Sequence, residues 1–216
     1  MVSSLSLLIS LIFVIFAYLL GSLPNGYLLG RYLQGIDIRE YGSGSTGATN
    51  VFRTLGKTAG IIVLMADLLK GVIAVGAVKG FFAFVAQSFL PLSWEPWFVT
   101  LAAIAAVIGH SKSIWLNFTG GKSVATSLGV LLVMSPFVAL GTIVVFALVF
   151  AIWRIVSLGS ICGAIAVNLL MLALNQPLPY IIFATIAGIY IIWRHQSNIQ
   201  RLFAGTEPKL GENLSQ

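Results

Sequence analysis

Charge is what this sequence has least of. Only 8% of its 216 residues are Asp, Glu, Lys or Arg, against about 25% in an ordinary soluble domain. With 58% of its residues hydrophobic, a soluble fold could not hide its apolar surface, because the outer shell of such a fold needs polar side chains. The chain has one cysteine, Cys162, in an apolar stretch, which excludes an internal disulfide framework. Its two histidines lie far apart and its carboxylates are few. They form no recognisable ligand set, so no metal and no cofactor are expected. No basic segment precedes the first apolar run, which argues against a cleaved signal peptide. No soluble stretch is long enough for a second domain, and residues 1–216 are expected to form one membrane domain with a polar tail from about 194.

What the chain does have is long apolar runs. A helical span takes about 20 mostly apolar residues. Runs of that kind occupy residues 5–30 and 58–80, a stretch ending near Gly109, residues 124–153, a stretch ending at Leu174, and residues 178–193. The run at 124–153 is too long for one span, and Pro136 is a natural break, so it is split into two helices, the first short. The expectation is an all-α integral membrane protein with seven transmembrane helices. Arg31, Arg39, Arg53, Lys57, Lys112, Lys122, Arg154, Arg194, Arg201 and Lys209 then fall on one side, ten of the twelve basic residues. Basic connections favour the cytoplasm, so the N-terminus is placed outside and the tail inside. The formal charge of +6 is thus a topology signal and not a nucleic-acid face.

The polar connections on that inner side hold the dense glycine. The first contains Gly42, Ser43, Gly44, Thr49 and Asn50, followed by Arg53. Glycine lets a backbone approach a ligand, free N–H groups and a helix N-terminus bind anions, and arginine grips phosphate with two donors. A merely flexible Gly/Ser loop is the equal alternative. The second contains His110 and then Gly120, Gly121, Lys122 and Ser123. It falls short of a nucleotide-binding P-loop, because Leu116 stands where the first glycine is required. A phosphate-binding glycine loop entering a helix remains, with His110 otherwise a helix-end residue facing water. Ser157 and Ser160 are three apart and would share a helix face, for a ligand or for close packing. His195 and Asn198 lie one turn apart in a basic juxtamembrane segment that could equally bind lipid head groups. Asp67 and Lys70, one turn apart within a span, read as a structural ion pair or as substrate positioning.

Together these segments resemble the bacterial acyl-phosphate:glycerol-3-phosphate acyltransferase family. The resemblance covers residues 21–209. It rests on Gly21-Ser22-Leu23-Pro24, on residues 42–53, on Asp67 with Lys70-Gly71, on Gly109-His110 with residues 118–126, on Arg154 with Ser157 and Ser160, and on residues 195–207. One departure is visible: the family often has Asn-Pro where this chain has Ser45-Thr46. The resemblance implies the seven-span topology and a multi-pass place in the bacterial plasma membrane. It also implies acyl transfer from an acyl phosphate to the sn-1 hydroxyl of glycerol 3-phosphate, giving lysophosphatidic acid and phosphate. It assigns function to Ser43, Arg53, Lys122, Ser157, Ser160, His195 and Asn198, with Glu207 a further candidate. On this view the partners are glycerol 3-phosphate, acyl phosphate and membrane lipids, with no obligatory protein partner. Lys and Arg would hold phosphates, hydroxyls and amides would align the reacting groups, and either His195 or a substrate phosphate oxygen would take the proton. An anion carrier is the competing class, but its site would sit at the midplane between repeats, whereas these motifs cluster on one face and no internal repeat is visible.

Overall fold

The computed structural model describes residues 4–86 and 90–212. The described chain is helical, with no strand beyond a single bridge between Ser113 and Thr119. The helices are α1 (Ser4–Ser22), α2 (Asn25–Gln34), α3 (Ala48–Leu55), α4 (Lys57–Phe84), α5 (Glu95–Ser111), α6 (Val124–Met134), α7 (Pro136–Trp153), α8 (Val156–Ala173), α9 (Leu178–Arg194) and α10 (Gln196–Phe203). Five stretches are long and apolar enough to cross a membrane, and a sixth joins α9 to α10 through a 59° bend. The protein is thus an integral membrane protein of several apolar helices. At 11 residues, α6 is shorter than a full crossing needs.

The expected division at Pro136 is present: α6 stops at Met134 and α7 starts on the proline. The first span differs from expectation. It breaks after Ser22, and a separate helix begins at Asn25, because Pro24 has no N–H to continue the ladder. The break leaves the Leu23 carbonyl without a helical partner, and Lys70 Nζ donates to it at 3.0 Å. The same ammonium pairs with Asp67 Oδ1 at 2.9 Å, and Asn25 Nδ2 donates to that oxygen at 2.9 Å. Lys70 and Asp67 therefore splice the α1–α2 break to α4. Lys70 does not line the cavity described below. Asp67 does line it, and the ion pair expected of the two residues is present.

Small residues set the helix crossings. Helices α1 and α5 pack together, as do α4 and α6, α7 and α8, and α8 and α9. A Cβ on Gly129 would lie 2.0 Å from Leu68 O, and one on Gly71 would lie 2.3 Å from Thr126 O. Only glycine permits backbones this close, which is how membrane helices gain van der Waals contact without a hydrophobic drive. The main core, including Val75, Val78, Phe82, Ala102 and Ala106, lies where α4, α5 and α1 meet. Polar contacts gather one end of the bundle. Lys122 before α6 meets Asn198 of α10, Arg194 at the end of α9 meets Gly120, and Leu210 meets Arg154 at the end of α7.

Candidate active site

At that end lies a cavity of about 620 Å³, well within the size range of small-molecule sites. Its polar wall includes Ser43, Arg53, Lys122, Ser157, His195 and Asn198, and Ser160, Thr49, Asn50, His110, Ser123 and Glu207 also line it. Its apolar wall is supplied by α4, α6, α7, α8 and α9.

The hub of the polar end is Glu207. It sits in the segment after α10, which folds back onto the bundle: Arg53 Nη2 donates to Pro208 O at 3.2 Å, and Leu210 N donates to Arg154 O at 2.9 Å. Ser157 Oγ and Asn198 Nδ2 each donate to Glu207 Oε1 at 2.6 Å, and Arg201 Nε donates to Oε2 at 2.7 Å. Burial alone would push this carboxyl up, but the three donors outweigh it and hold the group below its ordinary range. Asn198 turns its other face to Lys122, whose Nζ donates to Asn198 Oδ1 at 2.5 Å. Burial pulls Lys122 down to about 8, against the pull of Glu207 and with the help of Arg201, Arg194 and Arg53. Burial also lowers Arg53, and Glu207 offsets part of that. The Arg53 Nε is buried without a partner, a donor ready for an anion. Glu207 lines the cavity and orients Ser157, Asn198 and Arg201.

The glycine loops prove to be architecture. Gly42 and Gly44 have φ of 56° and 67°, values natural to glycine, and neither lines the cavity. Asn50 holds their turn together: its Nδ2 donates to Ile38 O, Tyr41 O and Ser45 O at 2.9–3.0 Å, and its Oδ1 accepts from Ser43 N at 2.8 Å. Asn50 thus fastens the loop from a position that also lines the cavity, beside Ser43, Ser45 and Thr49. The second loop lies flat on His110. A Cβ on Gly121 would meet His110 Nε2 at 2.1 Å, and one on Gly120 would meet His110 O at 2.2 Å. Arg194 Nη2 donates to both glycine carbonyls, at 3.2 and 3.1 Å. Neither glycine lines the cavity. Ser123 is also committed: its Oγ is 2.6 Å from Ser111 Oγ and donates to Val107 O at 2.7 Å. What this loop delivers is Lys122.

His110 is buried beside Asp67, with Nδ1 3.5 Å from Oδ1, and both line the cavity. Ser157 and Ser160 share the cavity face of α8 as their spacing implies, although Ser160 Oγ donates back to Val156 O at 2.9 Å. His195 is buried at the α9–α10 bend, its Nδ1 2.7 Å from Ile191 O. With the proton on Nδ1, Nε2 is the free ring nitrogen. Sequence reasoning gave no role to Arg194, Arg201, Ser111 or Asn25. Arg201 lies six residues from Glu207 and was open to inference, but the reach of Arg194 to Gly120 spans 74 positions and leaves no local signal.

A family model described as glycerol-3-phosphate acyltransferase matches residues 11–205. The chain is 62% identical over 208 residues to a glycerol-3-phosphate acyltransferase of Rippkaea orientalis, covering 96% of each chain. It is 57% identical over 212 residues to one of Crocosphaera subtropica, covering 98% of this chain and 99% of that one. Its fold is similar to the crystal structure of PlsY, an integral membrane glycerol 3-phosphate acyltransferase, in its glycerol 3-phosphate form. There the TM-score is 0.83 at 40% identity, over 94% of this chain and 96% of that one. The lysophosphatidic acid form of PlsY gives a TM-score of 0.80.

Proposed function

This chain belongs to the glycerol-3-phosphate acyltransferase family, and on that premise we propose its reaction. An acyl group passes from an acyl phosphate to the sn-1 hydroxyl of glycerol 3-phosphate. The hydroxyl oxygen bonds to the acyl carbon, the bond from that carbon to the phosphate oxygen breaks, and 1-acyl-glycerol 3-phosphate and inorganic phosphate leave. The hydroxyl proton goes to the departing phosphate. Burial, helped by the cations Lys122 and Arg194 and opposed by the Ile191 carbonyl and Glu207, disfavours a positive charge on the His195 ring. The equation balances without a cofactor.

One observation carries this reading. Arg53, Lys122, Ser157 and Asn198 come from four separate segments to the polar end of one cavity whose remainder is apolar. Such a site suits a substrate that is anionic at one end and a hydrocarbon at the other. An acyl phosphate is already activated, so the protein needs only to hold two phosphates, align the hydroxyl and stabilise developing charge. Arg53 and Lys122 do the first; Ser43, Ser157, Ser160 and Asn198 do the rest. The whole chain acts as one domain in the bacterial plasma membrane. Its seven spans, counting the short α6 as one, put the basic connections and the polar end of the cavity in the cytoplasm.

The test uses purified protein in lipid with glycerol 3-phosphate and either palmitoyl phosphate or palmitoyl-CoA. Lysophosphatidic acid from the phosphate donor alone, with equimolar phosphate release, is the expected result. Product from the thioester alone overturns the donor.

A further inference from the structure

The catalytic groups use only the polar end of the cavity. The rest of it continues along one face of α9, where Ile191, Ala187, Ala184 and Phe183 recur at helical spacing beyond His195. Facing them are Ala164 and Val167 of α8 and Leu131 of α6. All of these are buried, Phe183 with only 1% of its surface exposed. Another wall is different. Ile61 and Leu64 of α4 and Ile143 of α7 line the cavity, and each is 37–47% exposed. The cavity thus has one half-exposed wall and one buried wall, and the buried wall forms an apolar arm along α9 that ends at Phe183. Past Phe183 the same helix face continues with Tyr180, which is packed in the core and outside the cavity.

We infer that this arm is an acyl-chain ruler, with Phe183 as its stop and Ala187 as the small residue that keeps it open. The inference rests on the proposed acyl transfer, because it needs a hydrocarbon whose head lies at the cation end. The length follows from helix geometry. Phe183 is twelve residues from His195, about 18 Å at the helical rise of ~1.5 Å per residue. An extended chain advances about 1.2 Å per bond, as the peptide backbone does. The arm therefore accommodates roughly fifteen bonds, an acyl group of about sixteen carbons. Ala187 stands eight residues from His195, about 12 Å, or roughly eleven carbons along. A larger side chain there would block the arm at that depth. The donor is already dissolved in lipid, so each methylene that enters the arm exchanges one apolar surrounding for another, and affinity changes little with length up to the stop. A chain longer than the arm must bend back or displace packed side chains, which weakens its binding.

The experiment has two arms on the full-length protein in lipid nanodiscs. One measures kcat/KM with saturated acyl phosphates of graded length from about ten to twenty carbons. The other measures binding of alkyl phosphates of the same lengths, which needs no turnover. The expected profile is nearly level up to about sixteen carbons and falls beyond that length. Ala187→Leu moves the break down to about eleven carbons, and Phe183→Ala moves it beyond sixteen. A profile with no break, or a break that neither variant moves, overturns the ruler. If alkyl phosphates show the shifting break but no donor is turned over, acyl transfer falls and the ruler stands. If all lengths are turned over alike, the ruler falls and acyl transfer stands.

Discussion

Lys122 offers the sharpest test of how the site holds phosphate. Its ammonium is pulled down to about 8 by burial, so in the free protein it is about nine-tenths charged at pH 7 and about one-tenth at pH 9. If the charged form binds a substrate phosphate, kcat/KM for glycerol 3-phosphate must fall as pH rises through about 8, because kcat/KM reports the free enzyme. A bound dianion raises the lysine, so the same limb in kcat should sit higher. The acid limb near pH 6 belongs to the second ionisation of the substrate phosphate and stays put. Lys122→Arg replaces the ammonium with a group charged beyond pH 12, so the alkaline limb should disappear even if the rate at pH 7 drops. Lys122→Met removes a charge-assisted hydrogen bond of about 1.5–3 kcal/mol, roughly ten- to a hundredfold in kcat/KM. The assay is lysophosphatidic acid formation from pH 6 to pH 10. An alkaline limb still near 8 in Lys122→Arg, or Lys122→Met within twofold of the parent, refutes the assignment.

Three other substitutions separate holding the substrate from holding the fold. Arg53→Ala should lower turnover at least a hundredfold, the loss of roughly 3 kcal/mol of phosphate binding, while the melting temperature in detergent stays near that of the parent; equal activity would remove Arg53 from the site. Glu207→Gln keeps the shape but presents an amide nitrogen to at least one of three donors, Ser157, Asn198 or Arg201. It should cost about 2 kcal/mol in the transition state and, by removing a negative charge, should let inorganic phosphate inhibit at lower concentration; unchanged inhibition would count against the carboxylate as the hub. Lys70→Met strands the buried Asp67 charge and frees Leu23 O, a loss of about 3–5 kcal/mol visible as a lower melting temperature. Asp67→Leu combined with Lys70→Leu should recover part of that stability, and a failure to do so would show that the pair does more than splice the helices.

The helical membrane class was legible because composition acts over whole segments. The break at Pro136 was legible for a local reason, since it interrupts a run too long for one span. The break at Pro24 was not, although the chemistry is the same, because the apolar run continues through it and Lys70 repairs it from 47 positions away. Most of the expected site residues line one cavity, whereas Gly42, Gly44, Gly120, Gly121 and Lys70 do not. Gly120 and Gly121 look like a phosphate cradle, yet they are small because the chain lies against His110. Asn50 looks like a ligand, yet its amide closes its own loop. Small polar residues serve ligand binding and turn closure through the same hydrogen bonds, and sequence does not distinguish the two. The apolar arm left no trace, because Ala184, Ala187 and Phe183 have the same composition whether they face a cavity, a neighbouring helix or lipid.

The segment that carries Glu207 back over the polar end has a chemical consequence. An activated acyl group is open to attack by water as well as by an alcohol, and water is always the more abundant nucleophile. Glu207, Pro208 and Leu210 lie against Asn198, Arg53 and Arg154 at the polar end of the cavity. If the donor is the acyl phosphate proposed above, this cover biases the partition between transfer and hydrolysis. Loosening it would change what the protein makes before it changed how fast the donor is consumed: phosphate release would continue while free fatty acid replaced the glycerol ester.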